Sequence, residues 1–227
     1  MNSCGRLANV IVAARFNGPP ATGNGGYTAG LLATMIAAPT VTVTLRRPPP
    51  LDTPYQVMSY QVEEAGDGLA AYCDGELIAT AVPARDRPGA PDWADPATAG
   101  EYPGFTDHPF PTCYVCGPKR DDGLGIYPGP LPSGGTAGVW RVPGDVRPAT
   151  VWAALDCPGG WAIISPGRPY VLGRITGAVG EVPEPGQECV VIGECTGVEG
   201  RKGFVRSGLF APDRRLIAAA EAVWIAV

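Results

Sequence analysis

Two stretches of the chain, Asn24 to Ala38 (NGGYTAGLLATMIAA) and Ala149 to Ser165 (ATVWAALDCPGGWAIIS), read as helices that are apolar on nearly every face. A helix of that kind cannot rest on a sheet with its far side in water, so each must be wrapped by strands. The strands are legible around both. After the first helix, Val41, Val43 and Leu45 alternate with Thr42, Thr44 and Arg46 until Pro48-Pro49-Pro50 stops the run. Tyr55 to Glu63 is a second strand, and Gly68 to Val82 is a pair broken at Asp74-Gly75, a dipeptide that readily takes the positive φ of a hairpin turn. Thr136 to Val142 precedes the second helix; Val171 to Val179 follows it. After a break at Pro185-Gly186 come Cys189 to Val198, Gly203 to Phe210 and Leu216 to Val227.

The plan therefore occurs twice, and in places the repeat reaches single residues: Leu77-Ile78-Ala79-Thr80-Ala81 matches Leu216-Ile217-Ala218-Ala219-Ala220. This predicts an α+β fold, a tandem (double) hotdog of two antiparallel sheets, each wrapped around a long central helix. Residues 1–83 form the N-terminal hotdog and 136–227 the C-terminal one. The crossover, 84–135, holds 10 of the 26 Pro and 9 of the 32 Gly, so the composition that suggests low complexity is local.

Lys and Arg number 17 against 22 acids, a net charge of -5, and no basic stripe faces a phosphate backbone, which argues against nucleic acid. The chain has neither a signal-peptide pattern nor an uninterrupted apolar run of about 18 residues, so a soluble, cytoplasmic protein with no membrane partner is expected. Seven cysteines, an odd number spread through apolar segments, imply reduced thiols. His108 is the single histidine, which removes multi-His metal sites and leaves a His-based triad only that residue.

The stretch from Phe16-Asn17-Gly18-Pro19-Pro20 to Asn24-Gly25-Gly26-Tyr27, the Leu45-Arg46-Arg47-Pro48-Pro49-Pro50-Leu51 segment and Ala154-Leu155-Asp156 resemble double-hotdog proteins of the thioesterase superfamily. The similarity covers nearly the whole chain in plan, through short motifs of modest specificity. It implies hydrolysis of acyl-CoA or related thioesters. Backbone amides at Gly25 and Gly26 would polarise the carbonyl, and Asp156 would activate water or attack directly, with Asn24 across the pseudo-dyad orienting it. It also implies a homo-oligomer. It supplies no cofactor. Family members that use Gln and Thr would find here only Gln187 and Thr176, neither in a motif.

Each candidate has a plainer reading. Asn24 is a good N-cap, and Gly25 and Gly26 permit close packing. Asp156 sits in a Trp- and Ala-rich helix, where a carboxylate is costly unless paired or used; alternatively it caps the segment after Pro158, which with Gly159-Gly160 should break the helix. Tyr27, Trp140, Trp152 and Trp161 line an acyl pocket or fill the core. Cys113-x-x-Cys116 near His108 would need a further ligand, Asp121 or Asp122, to hold zinc, so no metal site is assigned and an ordered crossover packing Phe110 and Tyr114 on the sheet is expected. Lys119 and Arg120 meet coenzyme A phosphates or form a solvated turn. The rival to the enzyme is a non-catalytic double hotdog that binds an acyl or aromatic ligand or serves as an assembly subunit.

Overall fold

The structure, a computed structural model, describes residues 6–62, 66–165 and 167–227. Cys4 and Glu63, the expected end of one strand, lie outside them. Strand β1 (Arg6–Ile11) leads through a 3-10 turn to α1 (Gly25–Ala33), β2 (Val41–Leu45), β3 (Pro54–Val62), β4 (Gly66–Cys73) and β5 (Glu76–Pro83). The crossover carries two more 3-10 turns and the short β6 (Gly129–Pro130). Then follow β7 (Thr136–Arg141), α2 (Pro148–Trp161), β8 (Tyr170–Val179), β9 (Glu188–Glu199), β10 (Lys202–Phe210) and β11 (Leu216–Ala226).

The strands form one eleven-stranded sheet in the order β1-β3-β4-β5-β2-β8-β11-β10-β9-β7-β6. Read outward from its centre, the order is the repeat itself: β2, β5, β4, β3 and β1 mirror β8, β11, β10, β9 and β7. The matching Leu77 and Leu216 segments lie in β5 and β11, each beside its central strand. The expectation of two sheets is corrected here. Strands β2 and β8 pair antiparallel, Val41 with Gly177 through Thr44 with Arg174, and the Thr42 and Thr176 hydroxyls meet at 2.8 Å across the seam. Joining these two strands edge to edge removes two rows of unpaired backbone groups.

Strands β4 and β5 turn at Asp74 (φ 50°) and Gly75 (φ 81°), both in the left-handed region that a two-residue hairpin of this kind requires. Helix α1 is shorter than its apolar run. After Ala33 the amides of Met35 and Ile36 reach back only three residues, to Leu32 and Ala33, and the Thr34 hydroxyl takes the Leu31 carbonyl, so the last turn tightens and stops. Helix α2 runs through Pro158 instead of breaking. Thirteen of its fourteen residues are buried, and enclosure by β7 to β11 outweighs the lost hydrogen bond of the proline.

The core lies between the sheet and the two helices, with Tyr55, Trp140, Tyr170, Leu32, Leu155 and Ile175 fully buried. The helices touch through glycine. A Cβ on Gly26 would stand 2.5 Å from the Asp156 Cβ, and one on Gly30 2.7 Å from the Ala149 Cα. This close approach sets the N-terminus of α1 against the middle of α2.

Candidate active site

Asn24 caps α1, its Oδ1 accepting from the Tyr27 N–H at 2.8 Å. Its Nδ2 donates to Asp156 Oδ2 at 3.2 Å, and the Gly26 N–H donates to the same oxygen at 2.9 Å. The structure thus brings Asn24, Gly26 and Asp156 together across the two helices. Asp156 is 3% exposed and its Oδ1 has no partner among the described residues, so it does not cap a solvated segment. Burial pushes its carboxyl up to about 7, against the opposing pull of the Gly26 amide and the Asn24 carboxamide; the Cys113 thiol adds to the rise.

The Gly26 amide is spent on Asp156, which corrects its expected role as a donor to substrate. The Gly25 N–H, first of the helix, finds no acceptor among the described residues, and Gly25 lines the cavity described next.

Asn24, Gly25 and Asp156 open on a cavity of about 450 Å3 whose walls include Leu45, Leu172, Ile164, Trp161 and Trp224. Arg46 and Arg47, both exposed, stand on its lining, Arg47 in an ion pair with Glu76 at 3.1 Å. His108, Phe110, Cys113 and Cys116 of the crossover form another part of the wall, with Cys157 of α2. Of the four aromatic residues expected at a pocket, only Trp161 lines it. Tyr27 stacks on Phe16 (centroids 3.9 Å apart) and meets Tyr114 edge-on; Trp152 fills the space left by Gly30 and Gly177; Trp140 is fully buried. Their expected places as substrate contacts are corrected by this packing. Trp224, not singled out by the sequence reading, lines the cavity with a buried indole N–H that has no partner among the described residues.

Thr176 is committed to the β2–β8 seam and Gln187 to a turn, where its Oε1 accepts from the Glu184 N–H. Arg120 is not a free cation: its guanidinium holds Asn17 Oδ1, the Arg15 and Thr112 carbonyls and Asp122. Asp122 is turned to that arginine and Asp121 is exposed, so neither joins the C-x-x-C pair. Cys157 does. The sulfurs of Cys113, Cys116 and Cys157 lie within 4.8 Å of one another, and His108 Nε2 is 3.4 Å from Cys116 Sγ. The structure thus places a third sulfur beside the pair, where the sequence offered only Asp121 or Asp122. The one signal in the sequence was the position of Cys157 beside Asp156. The six described cysteines are free thiols.

Among the described residues no helix is long and apolar enough to cross a membrane. No family model matches the chain, nor does any curated protein. Solved structures do. A protein of unknown function with a hot dog fold from Alicyclobacillus acidocaldarius aligns over 100% of this chain and 96% of its own, at 17% identity and a TM-score of 0.62. The TesB protein of Mycobacterium avium paratuberculosis aligns over 99% and 96%, at 13% identity and 0.63. An acyl-CoA thioesterase II, TesB2, from Mycobacterium marinum aligns over 99% and 96%, at 12% identity and 0.57. With its large antiparallel sheet around two packed helices, this chain has the hotdog fold of those proteins along its whole length.

Proposed function

We propose that the protein is a double-hotdog hydrolase of acyl thioesters, with acyl-CoA as the substrate class. The observation that carries this reading is Asp156, a buried carboxylate with one oxygen fixed and the other without a partner among the described residues, lining an apolar cavity beside a helix N-terminal amide that those residues also leave unpaired. The Gly25 N–H, at the positive end of α1, receives the thioester carbonyl oxygen and stabilises the charge that grows on it. Asp156 Oδ1 takes a proton from water as the water oxygen attacks the carbonyl carbon. The tetrahedral intermediate collapses, the C–S bond breaks, and Asp156 returns the proton to the departing thiolate. Gly26 and Asn24 hold the carboxylate in place. The apolar walls suit an acyl chain, and Arg46 and Arg47 provide cations for the anionic carrier. Two structural neighbours are named as TesB proteins, one as an acyl-CoA thioesterase II, in line with this chemistry.

The reading includes two hotdog units, 1–83 and 136–227, joined by the 84–135 crossover. It also includes a soluble, cytoplasmic homo-oligomer, for which the exposed Leu7 and Ile11 on edge strand β1 offer a surface. The test is hydrolysis of a panel of acyl-CoA thioesters, short, medium, long and aromatic, followed by loss of thioester absorbance. Turnover of one class supports the enzyme. Saturable binding of an acyl or aromatic ligand by folded protein, with no thioester hydrolysed, replaces it with a binding module.

A further inference from the structure

The thioesterase reading leaves Cys113, Cys116 and Cys157 unused. All three are buried, at 4%, 3% and 5% exposure, and all three line the cavity. The Cys113 and Cys157 sulfurs are 3.8 Å apart. That is far beyond the roughly 2.0 Å of a disulfide. It is the edge of a tetrahedron with metal–sulfur bonds of about 2.3 Å, for which the sulfur–sulfur separation comes to about 3.8 Å. The third sulfur lies within 4.8 Å of both. Soft sulfur donors in this arrangement select zinc-class ions over magnesium or calcium.

The backbone around the pair is built to present sulfur. The Gly117 N–H donates to the Cys113 carbonyl at 2.9 Å, closing a tight turn, and a Cβ on Gly117 would fall 2.4 Å from the Cys113 nitrogen, so only glycine fits. His108 accepts the Phe110 N–H at Nδ1 (2.8 Å), which leaves its proton on Nε2, 3.4 Å from Cys116 Sγ. A donor aimed at a ligating sulfur is the supporting hydrogen bond that metal thiolates commonly receive.

We propose that Cys113, Cys116 and Cys157 together bind one zinc-class divalent cation, with His108 hydrogen-bonded to Cys116 and the fourth position taken from the cavity side. The ion ties the crossover to α2 one residue from Asp156, and so fixes the cavity wall beside the carboxylate. This inference is independent of the thioesterase reading.

The test uses the full chain, reduced, stripped of metal by a chelator and titrated with cobalt(II) alone. A sulfur-to-cobalt charge-transfer band and the intense visible bands of tetrahedral cobalt should saturate at one ion per chain and disappear when zinc is added. Cys113→Ser and Cys157→Ser should lose the charge-transfer band, while Cys195→Ser, at an exposed position in β9, keeps it. Should the first two variants fail to fold, the wild type decides alone: the chelator lowers its Tm and zinc restores it. Folded, reduced protein with no charge-transfer band overturns the site. So does full cobalt binding by folded Cys157→Ser, or a Cys113–Cys157 disulfide in protein prepared under reducing conditions. None of these outcomes bears on hydrolysis by Asp156.

Discussion

Asp156 gives one oxygen to two donors while the other meets no donor among the described residues, and burial opposes the charge that such a group must carry. A packed protein gains nothing in stability from this arrangement, which is why it reads as chemistry. Asn24 has two tasks in it, capping Tyr27 and holding Asp156. Asn24→Ala should lower stability by about 1 kcal/mol through the lost cap. If Asn24 positions the carboxylate, turnover per folded molecule should also drop about tenfold or more. Urea unfolding and initial rates on the same preparation separate the two, and a stability loss with unchanged kcat would leave Asn24 a cap only. Asp156 was legible because an acid among Trp and Ala stands out. Cys157, one residue on, was not, since a buried cysteine in an apolar helix looks like any core residue. The Gly26 amide was read as free because every first-turn amide is nominally open, and only the fold shows which one Asp156 takes.

Helices α1 and α2 approach through Gly26 and Gly30, one turn apart, with no room for a methyl group at either. Gly30→Ala should cost about 1–3 kcal/mol by forcing the backbones apart near Ala149, while kcat of the folded fraction stays near wild type. Gly26→Ala presses on the Asp156 Cβ directly and should lose stability and kcat together; equal effects of the two variants on kcat would contradict the assigned contacts. Element types were readable from alternation, from the Asp74-Gly75 turn and from the two apolar helices. The helix ends were not: a tightened turn at Thr34 ends α1 early, and enclosure carries α2 through Pro158. The strands β1 and β6 went unnoticed, β1 because RLANVI does not alternate apolar with polar residues and β6 because it has two residues only. The two helices are also unequally equipped. Proline at position 148 removes the amide that corresponds to Gly25, and Ala33 stands as far beyond its N-cap as Asp156 does beyond Arg147.

At the scale of the molecule, the repeat predicted two copies of one plan, a strand, a long apolar helix and a set of antiparallel strands, yet it could not say that the two copies share one sheet or that their central strands pair. The Thr42–Thr176 contact and the β2–β8 ladder depend on how two finished halves meet. With one sheet and one helix pair shared by both halves, urea unfolding should be a single transition, coincident by far-UV and near-UV signals. Two resolved transitions would mean that the halves are stable apart. Since, of the two α-helices, α1 sets its N-terminus against Asp156 while α2 begins with a proline, a non-hydrolysable acyl-CoA thioether should bind with a stoichiometry of one per chain by calorimetry, and two would contradict the asymmetry. The most direct test of the account compares wild type with Asp156→Asn on whichever thioester the wild type hydrolyses, with Tm recorded for both. Asparagine keeps an acceptor for Gly26 and Asn24 but cannot serve as a base, so kcat should fall by about 10²–10⁴-fold while Tm holds or rises. Turnover within a few-fold of wild type by the folded variant would show that Asp156 only joins the two helices.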